Sequence, residues 1–378
     1  MKILILGGGA AAVESAIWAK QSSEQSEVVL CTAEAVLPYR RPLLPAALTQ
    51  DIIPERFFIH PAEFYQQHDI EIKLNMIAEK VDIKAQKVLF KDKDPEYYDR
   101  LIIAIGSSAR HIIQPGIVDN VFTLHNYSDV EAIRSALPDC DNIAVIGGGV
   151  LGLECAFSLL QTNRQVTVIE SKSNLMHGVL DNECSEYLTG QLKKYNNLTI
   201  LTGTKLDHLY NVNCKVQCKF STGTIRHLTA DCVICAAGIV PAHLPGLSAE
   251  ETADWQVDEF MHLNGLTNVF GAGDCVRVAG CTGGSYTAAR LQGRIAGINA
   301  AGGRIRFEPP IPESRAAFAQ TKIYCAGNTA DRGCIEKCEI NSSGLQKFYY
   351  RQNKLTGTVL IGDTSQSGNV FQVISDKQ

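Results

Sequence analysis

Two glycine-rich turns are the residues of this sequence with the clearest chemistry. They lie at Gly7–Ala12 and at Gly147–Gly152, and both have the spacing G-x-G-x-x-small. In such a turn the first glycine makes a tight bend, the second lets backbone approach a pyrophosphate, and the third position needs a small side chain for helix–strand packing. The following helix presents free N–H groups and its positive end to the phosphates. Glycines at strand ends also make ordinary turns, but two matches in the same context favour two dinucleotide-binding sites.

The acidic residue after the second strand of each unit distinguishes the two sites. The apolar run Val166–Ile169 ends at Glu170, where a carboxylate can accept both ribose hydroxyls and would repel a 2′-phosphate. We therefore expect NADH rather than NADPH at the second site, the alternative being a solvated glutamate at a strand end. In the first half Val28–Cys31 runs to Thr32, and the nearest acid, Glu34, comes two residues late.

The elements that must position these turns occur twice. Ile3–Ala16 and Ile143–Ala156 are each an aliphatic run, three glycines and a helix-forming stretch. Asp99–Gly106 (DRLIIAIG) and Asp231–Gly238 (DCVICAAG) form a second matching pair. Short all-apolar strands indicate parallel strands buried on both faces, and strand, glycine turn and helix begin a βαβ unit. The repeat predicts two copies of one α/β architecture.

The same patterns suggest domain boundaries. We expect a first nucleotide-binding domain at residues 1–110, a second one inserted at 111–240, and a return to the first domain at 241–302. The return contains the apolar strand Val269–Phe270 and an alanine-rich helical stretch, Ser285–Ala301. Glycines and a proline cluster mark a boundary near residue 303. Short alternating runs then predict a small α+β domain at 303–378.

Composition excludes several classes of function. The chain has 378 residues, 45% hydrophobic and 20% charged, with a formal net charge of −5, which argues against binding to nucleic acid or a membrane surface. No apolar run reaches the ~18 residues of a membrane span. The early apolar run Ile3–Leu6 leads straight into the first glycine turn, so we expect no signal peptide and a cytoplasmic protein. The thirteen cysteines are interpreted as structural thiols, with no metal site.

The cysteine positions also narrow the chemistry. The segment Glu34–Leu48 contains no cysteine, so no redox disulfide can lie there. Cys232 and Cys235 have dithiol spacing, but in a strand such residues point to opposite faces about 10 Å apart, beyond the ~7 Å that a disulfide tolerates. No nucleophile motif such as G-x-S-x-G is present. We therefore expect this protein to transfer electrons rather than acyl or phosphoryl groups.

Several short motifs carry a resemblance to a known family. Pro38–Leu43 is similar to P-Y-x-R-P-x-L, Asp99–Gly106 to YDxLIIATG, Gly147–Glu154 to GGGxLGxE, Gly271–Asp274 to AxGD, and Gln292–Gly293 to a helix-starting QG. In this order and over the whole chain, they resemble the FAD-dependent pyridine nucleotide–disulfide oxidoreductase superfamily. Within it the chain looks most like the NADH:rubredoxin oxidoreductases and flavorubredoxin reductases.

The resemblance implies a glutathione-reductase-like α/β fold, with two Rossmann-like dinucleotide-binding domains and a small α+β C-terminal domain. FAD would bind residues 1–110 and 241–302, and NADH would bind 111–240. By analogy the arginine of the proline motif contacts FAD, the glutamate of GGGxLGxE lies near the flavin–nicotinamide junction, and the aspartate of AxGD binds the ribityl chain. The expected cofactor-binding residues are Gly7, Gly9, Ala10, Ala11, Ala12, Thr32, Glu34, Arg41, Ala78, Ile105, Gly106, Gly147, Gly149, Gly152, Glu154, Glu170, Gly238, Gly273, Asp274 and Tyr286.

Departures from the family pattern affect the fine tuning of the flavin more than the choice of cofactor. Ala12 replaces the third glycine, and Ile105 replaces the usual threonine. Pro45 and Ala46 stand where relatives often carry lysine. We therefore expect the chain to bind FAD as the family does. The redox properties of the flavin and the identity of the electron acceptor follow less directly from the resemblance.

The implied activity is NADH oxidation, with electrons leaving through FAD to an external acceptor. The flavin carries the chemistry, so no side chain is expected to be catalytic. A small acidic iron protein, rubredoxin first, is the expected acceptor. Oxygen, a ferredoxin and a sirohaem nitrite reductase are enzyme alternatives, and a non-catalytic flavin sensor is a separate class. The nearby cations Arg40, Arg41, Arg290 and Arg294 are candidates for a basic docking patch.

Overall fold

A computed structural model describes residues 1–112, 117–247, 255–278, 281, 283–329 and 333–376. In these ranges the strands, in chain order, are β1 Lys2–Leu6, β2 Glu27–Cys31, β3 Ile70–Lys73, β4 Ala78–Asp82, β5 Lys87–Phe90, β6 Lys93–Tyr97, β7 Arg100–Ile103, β8 Ser107–Ala109, β9 Val121–Thr123, β10 Asn142–Ile146, β11 Gln165–Ile169, β12 Leu198–Leu201, β13 Leu206–Val212, β14 Lys215–Phe220, β15 His227–Ala230, β16 Cys232–Cys235, β17 Ile239–Pro241, β18 Val269–Gly271, β19 Glu313–Phe318, β20 Thr321–Gly327, β21 Ile335–Asn341, β22 Gly344–Arg351 and β23 Lys354–Gly362.

The α-helices described are α1 Ala10–Ser22, α2 Leu44–Ala47, α3 Pro54–Phe57, α4 Ala62–Gln67, α5 Tyr127–Ala136, α6 Val150–Leu160, α7 Asn182–Leu192, α8 Tyr286–Ala300 and α9 Ser367–Ser375. Short 3₁₀ turns occur at Arg41–Leu43 and Leu137–Asp139. The chain forms two compact units, one of residues 1–41, 52–108 and 239–310 and the other of residues 42–51, 109–238 and 311–378. We use "first unit" and "second unit" for these two sets.

A five-stranded parallel sheet organises the first unit. Its order is β18-β7-β1-β2-β3, with β1 central. Ile3 and Ile5 pack into a core that includes α1 and α8, whereas Leu4 and Leu6 pack into a second core on the other face. Burial on both faces explains why this strand is apolar at every position from Ile3 to Leu6 instead of alternating. The antiparallel meander β4-β5-β6 also belongs to this unit.

The second unit repeats this arrangement. Its parallel sheet has the order β12-β11-β10-β16-β9, again with a glycine turn and helix after the central strand. A second antiparallel meander, β13-β14-β15, stands between β12 and β16 as the first stands between β3 and β7. The prediction of a doubled α/β architecture is confirmed, and the repeat includes the meanders, which the glycine motifs alone did not indicate.

The C-terminal part of the second unit is an antiparallel sheet with one helix. The strand order is β19-β20-β23-β22-β21, and α9 packs against it through Val370 and Ile374. The alternating runs predicted an α+β segment, and that prediction is confirmed. Among the described residues we find no helix with the length and hydropathy that a bilayer span requires.

One buried cation ties α7 to this C-terminal sheet. Lys347, on β22, has a side chain only 3% exposed. Its Nζ lies 2.6 Å from Asp181 Oδ2, 2.8 Å from Glu183 Oε2 and 2.8 Å from Glu336 Oε2. The hydroxyl of Tyr349 donates to Asp181 Oδ2 at 2.7 Å. These five side chains are called the Lys347 cluster below.

Candidate functional site

The first glycine turn leaves backbone open at the start of α1. Gly7 has φ +129°, and a Cβ there would lie 2.1 Å from the carbonyl oxygen of Ala104, so only glycine fits between β1 and β7. A Cβ on Gly9 would meet nothing within 4 Å. Gly9 is also the N-cap of α1 and offers no side-chain acceptor to the first N–H groups of that helix. Open space beside exposed amides at a helix N-terminus fits a pyrophosphate.

The second glycine turn has the same geometry. Gly147 has φ +118°, and a Cβ there would lie 2.3 Å from the carbonyl oxygen of Ala236. Gly149 faces open space, while a Cβ on Gly152 would approach the carbonyl oxygen of Gly147 to 2.0 Å. Gly152 therefore allows α6 to pack directly over the turn. In the first half the equivalent position is Ala12, which is fully buried and adds only one methyl group.

The residues after β2 form a small polar cluster at the first turn. Thr32 is buried, and its Oγ1 would lie 2.4 Å from a Cβ on Gly8. Glu34 accepts from Arg41 Nη2 at 2.7 Å and from the hydroxyl of Tyr39 at 2.6 Å. The structure thus brings together Glu34 and Arg41, which the sequence treated separately. Tyr39 lies within the proline motif, and the spacing of that motif does not indicate its contact with Glu34.

Glu170 lies directly against the second glycine turn. Its Oε2 accepts from the backbone N–H of Gly148 at 2.8 Å, and its Oε1 accepts from the backbone N–H of Lys172 at 2.7 Å. A Cβ on Gly148 would approach Glu170 Cβ to 3.0 Å. The carboxylate is held at the end of β11, where the ribose of a dinucleotide would extend from the turn.

We expect Glu170→Gln to relax the choice between NADH and NADPH. Glutamine keeps an acceptor for Gly148 N–H but removes the negative charge that would face a 2′-phosphate. The ratio of kcat/KM for NADH to that for NADPH should fall by roughly a hundredfold, since a like-charge pair costs several kcal/mol. Steady-state assays with both nucleotides measure this ratio, with Glu186→Gln, an exposed change on α7, as the control. A wild type that uses both nucleotides equally would contradict our role for Glu170.

The turn after β18 and the start of α8 line a cleft in the first unit. Gly273 has φ +81°, and its N–H donates to Gln292 Oε1 at 2.7 Å. Asp274 Oδ1 accepts from the N–H of Gly284 at 2.7 Å. The cleft is lined by Gly273, Asp274, Val276, Cys281, Gly283, Ser285, Ala288, Ala289 and Gln292. A Cβ on Gly273 would lie 3.2 Å from Ala11 Cβ, so this cleft adjoins the first glycine turn.

The remaining predicted residues are spread around these two turns. Ile105 and Gly106, the latter with φ +71°, follow β7, and Gly238, with φ +99°, follows β16. Tyr286 is the first residue of α8 and is exposed. Ala78 begins β4, where it pairs with Phe90 in the meander rather than contacting either glycine turn in the contacts described.

Glu154 has the most perturbed carboxyl group of the predicted set. It lies on α6, one turn into the helix, and is half-buried. Burial raises the pKa of its carboxyl group to about 7, although a position near a helix N-terminus by itself favours the charged form. Desolvation therefore dominates, and Glu154 can exist as a neutral hydrogen-bond donor at neutral pH.

The two thiols with dithiol spacing are poorly suited to redox chemistry. Cys232 and Cys235 are free thiols. Cys232 and Cys235 are both buried in β16, and burial raises the pKa of Cys235 to about 12. The pKa of Cys232 is also raised, first by hydrogen bonding to Cys140 and then by burial. Protonated, buried thiols are weak nucleophiles. In the described ranges no group of three or more His, Cys, Asp or Glu side chains could hold a metal ion.

The chain is similar to several known proteins in sequence and in fold. The family model described as "Pyridine nucleotide-disulphide oxidoreductase" matches residues 1–303. The chain is 30% identical over 279 residues to the rubredoxin-NAD(+) reductase of Pseudomonas putida, covering 73% of this chain and 72% of that protein. It is 24% identical over 384 residues to the NADH-rubredoxin oxidoreductase of Clostridium acetobutylicum, covering 100% of this chain and 95% of that protein. The reductase in a covalent putidaredoxin reductase–putidaredoxin complex has a similar fold, with TM-score 0.87, 22% identity and coverage of 100% of this chain and 93% of that one.

The chain belongs to the pyridine nucleotide–disulphide oxidoreductase family. It is an NADH-dependent flavoprotein oxidoreductase, with FAD and NADH as its cofactor and co-substrate. The residues present fit both groups. Each glycine turn leaves free space beside its second glycine, where a pyrophosphate must pass, and has only small residues where the helix packs against the strand. The family resemblance inferred from the motifs is confirmed.

Proposed function

We propose that this protein oxidises NADH and passes the electrons through FAD to a small iron protein, with rubredoxin as the first candidate. The observation that carries the proposal is the pair of open glycine turns, one with Glu170 fixed against it and the other beside the Asp274 cleft. The likeness to an NADH-rubredoxin oxidoreductase over 100% of this chain supports the choice of acceptor. When bound, FAD would accept a hydride and release electrons singly.

In this proposal the first unit holds FAD and the parallel sheet of the second unit holds NADH. Backbone amides at the start of α1 bind the FAD pyrophosphate, while Arg41 and Glu34 bind at its adenosine end. Asp274 binds the ribityl chain from the turn after β18. Backbone amides at the start of α6 bind the NADH pyrophosphate, and Glu170 accepts from the ribose hydroxyls. Glu154, whose carboxyl pKa is raised to about 7, holds a proton near the nicotinamide end.

Steady-state NADH oxidation with a panel of acceptors tests the proposal. We expect purified protein to carry one FAD per chain and to reduce rubredoxin at least about tenfold faster than it reduces oxygen, because a docked acceptor gains from a specific encounter. A [2Fe–2S] ferredoxin and a sirohaem nitrite reductase complete the panel.

The other outcomes each favour a different function. Oxygen as the fastest acceptor would favour an NADH oxidase, and a maximal rate with ferredoxin or nitrite reductase would favour those partners. Bound FAD that NADH does not bleach would indicate a sensor. Release of FMN instead of FAD would contradict our assignment of the first glycine turn.

A further inference from the structure

Two helices of the first unit present one continuous outer surface. α1 and α8 pack closely because a Cβ on Gly293 would lie 2.2 Å from the carbonyl oxygen of Ala11, and one on Gly297 would lie 2.4 Å from that of Ser15. Only glycine permits such an approach at these two positions of α8. Side chains on the outward faces of the two helices therefore come within reach of each other.

A network of an aromatic ring, a carboxylate and two arginines covers this surface. Trp18 Nε1 donates to Glu14 Oε2 at 3.1 Å, and Arg290 Nε donates to Glu14 Oε1 at 2.6 Å. The guanidinium of Arg294 lies over the indole ring of Trp18, 4.0 Å from its centroid. Both helices contribute residues four apart, which share one helix face. Because Glu14 compensates one of the two arginines, the network keeps a net positive charge.

Further cations surround the network. Arg40 donates to the backbone carbonyls of Arg56 and Ile59, contacts that fix its guanidinium without neutralising it. The pKa of His60 is lowered, first by burial and then by Arg40; Glu14 acts in the opposite direction, and His68 and Arg290 lower it by less. Arg40 and Arg290 therefore both act on the charge of His60, although they lie on different parts of the first unit. By contrast Arg41 is paired with Glu34, so we leave it out of the basic patch expected from the sequence. We call Trp18, Arg40, His60, Arg290 and Arg294 the arginine surface.

The arginine surface shares a helix with the candidate FAD cleft. Ala289 and Gln292 line the cleft from α8, whereas Arg290 and Arg294 of the same helix belong to the surface. One helical turn is about 5.4 Å, so a partner seated on the arginines approaches the cleft to within a few turns of helix.

We propose that the arginine surface is the docking site of the electron acceptor, a small protein whose iron centre is ringed by carboxylates. This inference rests on the proposed function. Tryptophan and arginine are the side chains that most often dominate binding energy at interfaces, and a guanidinium already stacked on an indole loses little freedom on binding. A second copy of this chain is a poorer occupant, because a two-fold interface would place the arginines against their own equivalents.

The test compares two arginines that each stack on an aromatic ring. Arg294→Glu changes the arginine surface, and Arg315→Glu is the matched control on β19, where Arg315 lies 4.6 Å from the centroid of the Tyr324 ring. With an acidic rubredoxin as probe, we expect Arg294→Glu to lower kcat/KM for rubredoxin by roughly tenfold or more and to flatten its salt dependence. Arg315→Glu should change neither. Anaerobic stopped-flow reduction of the flavin by NADH should be the same in all three proteins.

The possible results distinguish a failure of the docking site from a failure of the proposed function. If the wild type reduces rubredoxin rapidly and Arg294→Glu does so equally well, or falls no further than Arg315→Glu, the docking site is overturned and the function stands. If Arg294→Glu slows reduction by NADH as strongly as reduction of rubredoxin, the residue supports the flavin site and the docking proposal is again overturned. If neither rubredoxin nor ferredoxin is reduced faster than oxygen by the wild type, both proposals are overturned.

Discussion

Replacing Gly9 with valine is expected to abolish FAD binding while leaving the fold intact. A Cβ at Gly9 meets no atom of the protein within 4 Å, and its backbone, with φ −89° and ψ −178°, suits a β-branched residue. The added side chain would occupy the space that a pyrophosphate must enter. Purified variant should therefore carry less than about a tenth of the wild-type FAD, a loss of more than about 1.4 kcal/mol in binding. Absorbance at the flavin band and the far-ultraviolet circular dichroism spectrum measure the two effects.

Gly149→Val is the matched variant in the second half of the repeat. A Cβ there also meets nothing within 4 Å, so the protein should fold and keep its FAD. NADH should then fail to bleach the flavin at concentrations that reduce the wild type fully. Loss of FAD from Gly149→Val, with retention in Gly9→Val, would reverse our assignment of the two turns. Gly7→Ala, whose Cβ would overlap Ala104, should instead lower stability and gives a contrast between a packing glycine and a binding one.

Replacing Lys347 with methionine is expected to lower the free energy of unfolding by about 3 kcal/mol, the lower end of the cost of removing one partner from a buried ion pair. Methionine fills the space but leaves Asp181, Glu183 and Glu336 facing one another. The lower end applies because the side chains of Glu183 and Glu336 are about half exposed, 51% and 49%, and water screens them. Urea unfolding measures the change, with Lys337→Met, an exposed change on the edge strand β21, as the control.

The same variant has a defined pH dependence. Burial raises the pKa of Asp181, but hydrogen bonds from Lys347 and the backbone of Cys184 outweigh it, so the pKa is lowered overall. The pKa of Lys347 is raised because its three carboxylate partners outweigh burial. Because the carboxyl pKa is lowered in the folded state, Asp181 stabilises the fold above about pH 4, and this stabilisation is lost as the pH falls. Because the lysine pKa is raised, Lys347 stabilises the fold below about pH 10, and this stabilisation is lost as the pH rises. The difference in free energy of unfolding between wild type and Lys347→Met should be largest between these limits. A difference at pH 3 as large as that at neutral pH would contradict a stabilising role for the ion pairs of the Lys347 cluster.

The sequence predicted the parts of the site that local chain geometry dictates. Gly7 and Gly147 lie in turns that need positive φ, and Glu170 lies at the end of an apolar strand, so spacing alone placed them. The separate prediction for Glu34 and Arg41 did not include their pairing, because the loop between them folds back through Tyr39. Such a contact depends on loop conformation, which hydrophobic periodicity does not describe.

Contacts between distant segments were beyond sequence reasoning. Lys347 lies in an alternating run that equally suits a solvent-facing lysine, and its acidic partners come from the N-terminal end of α7 and from β21. The pairing of Arg290 with Glu14 requires α1 and α8 to touch. The spacing of Gly293 and Gly297 on one helix face could have indicated that close approach, but it does not identify the partner helix.

The discontinuity of the first unit has a consequence for synthesis on the ribosome. The parallel sheet of the second unit is contained within residues 121–235, whereas β18 and α8 of the first unit lie at 269–271 and 286–300. During elongation β1 and α1 thus emerge first, but they cannot complete their sheet and helix contacts until β18 and α8 have been translated. Domains generally fold as units during synthesis. The strands of the second parallel sheet are therefore all available to pair before the first parallel sheet can be completed.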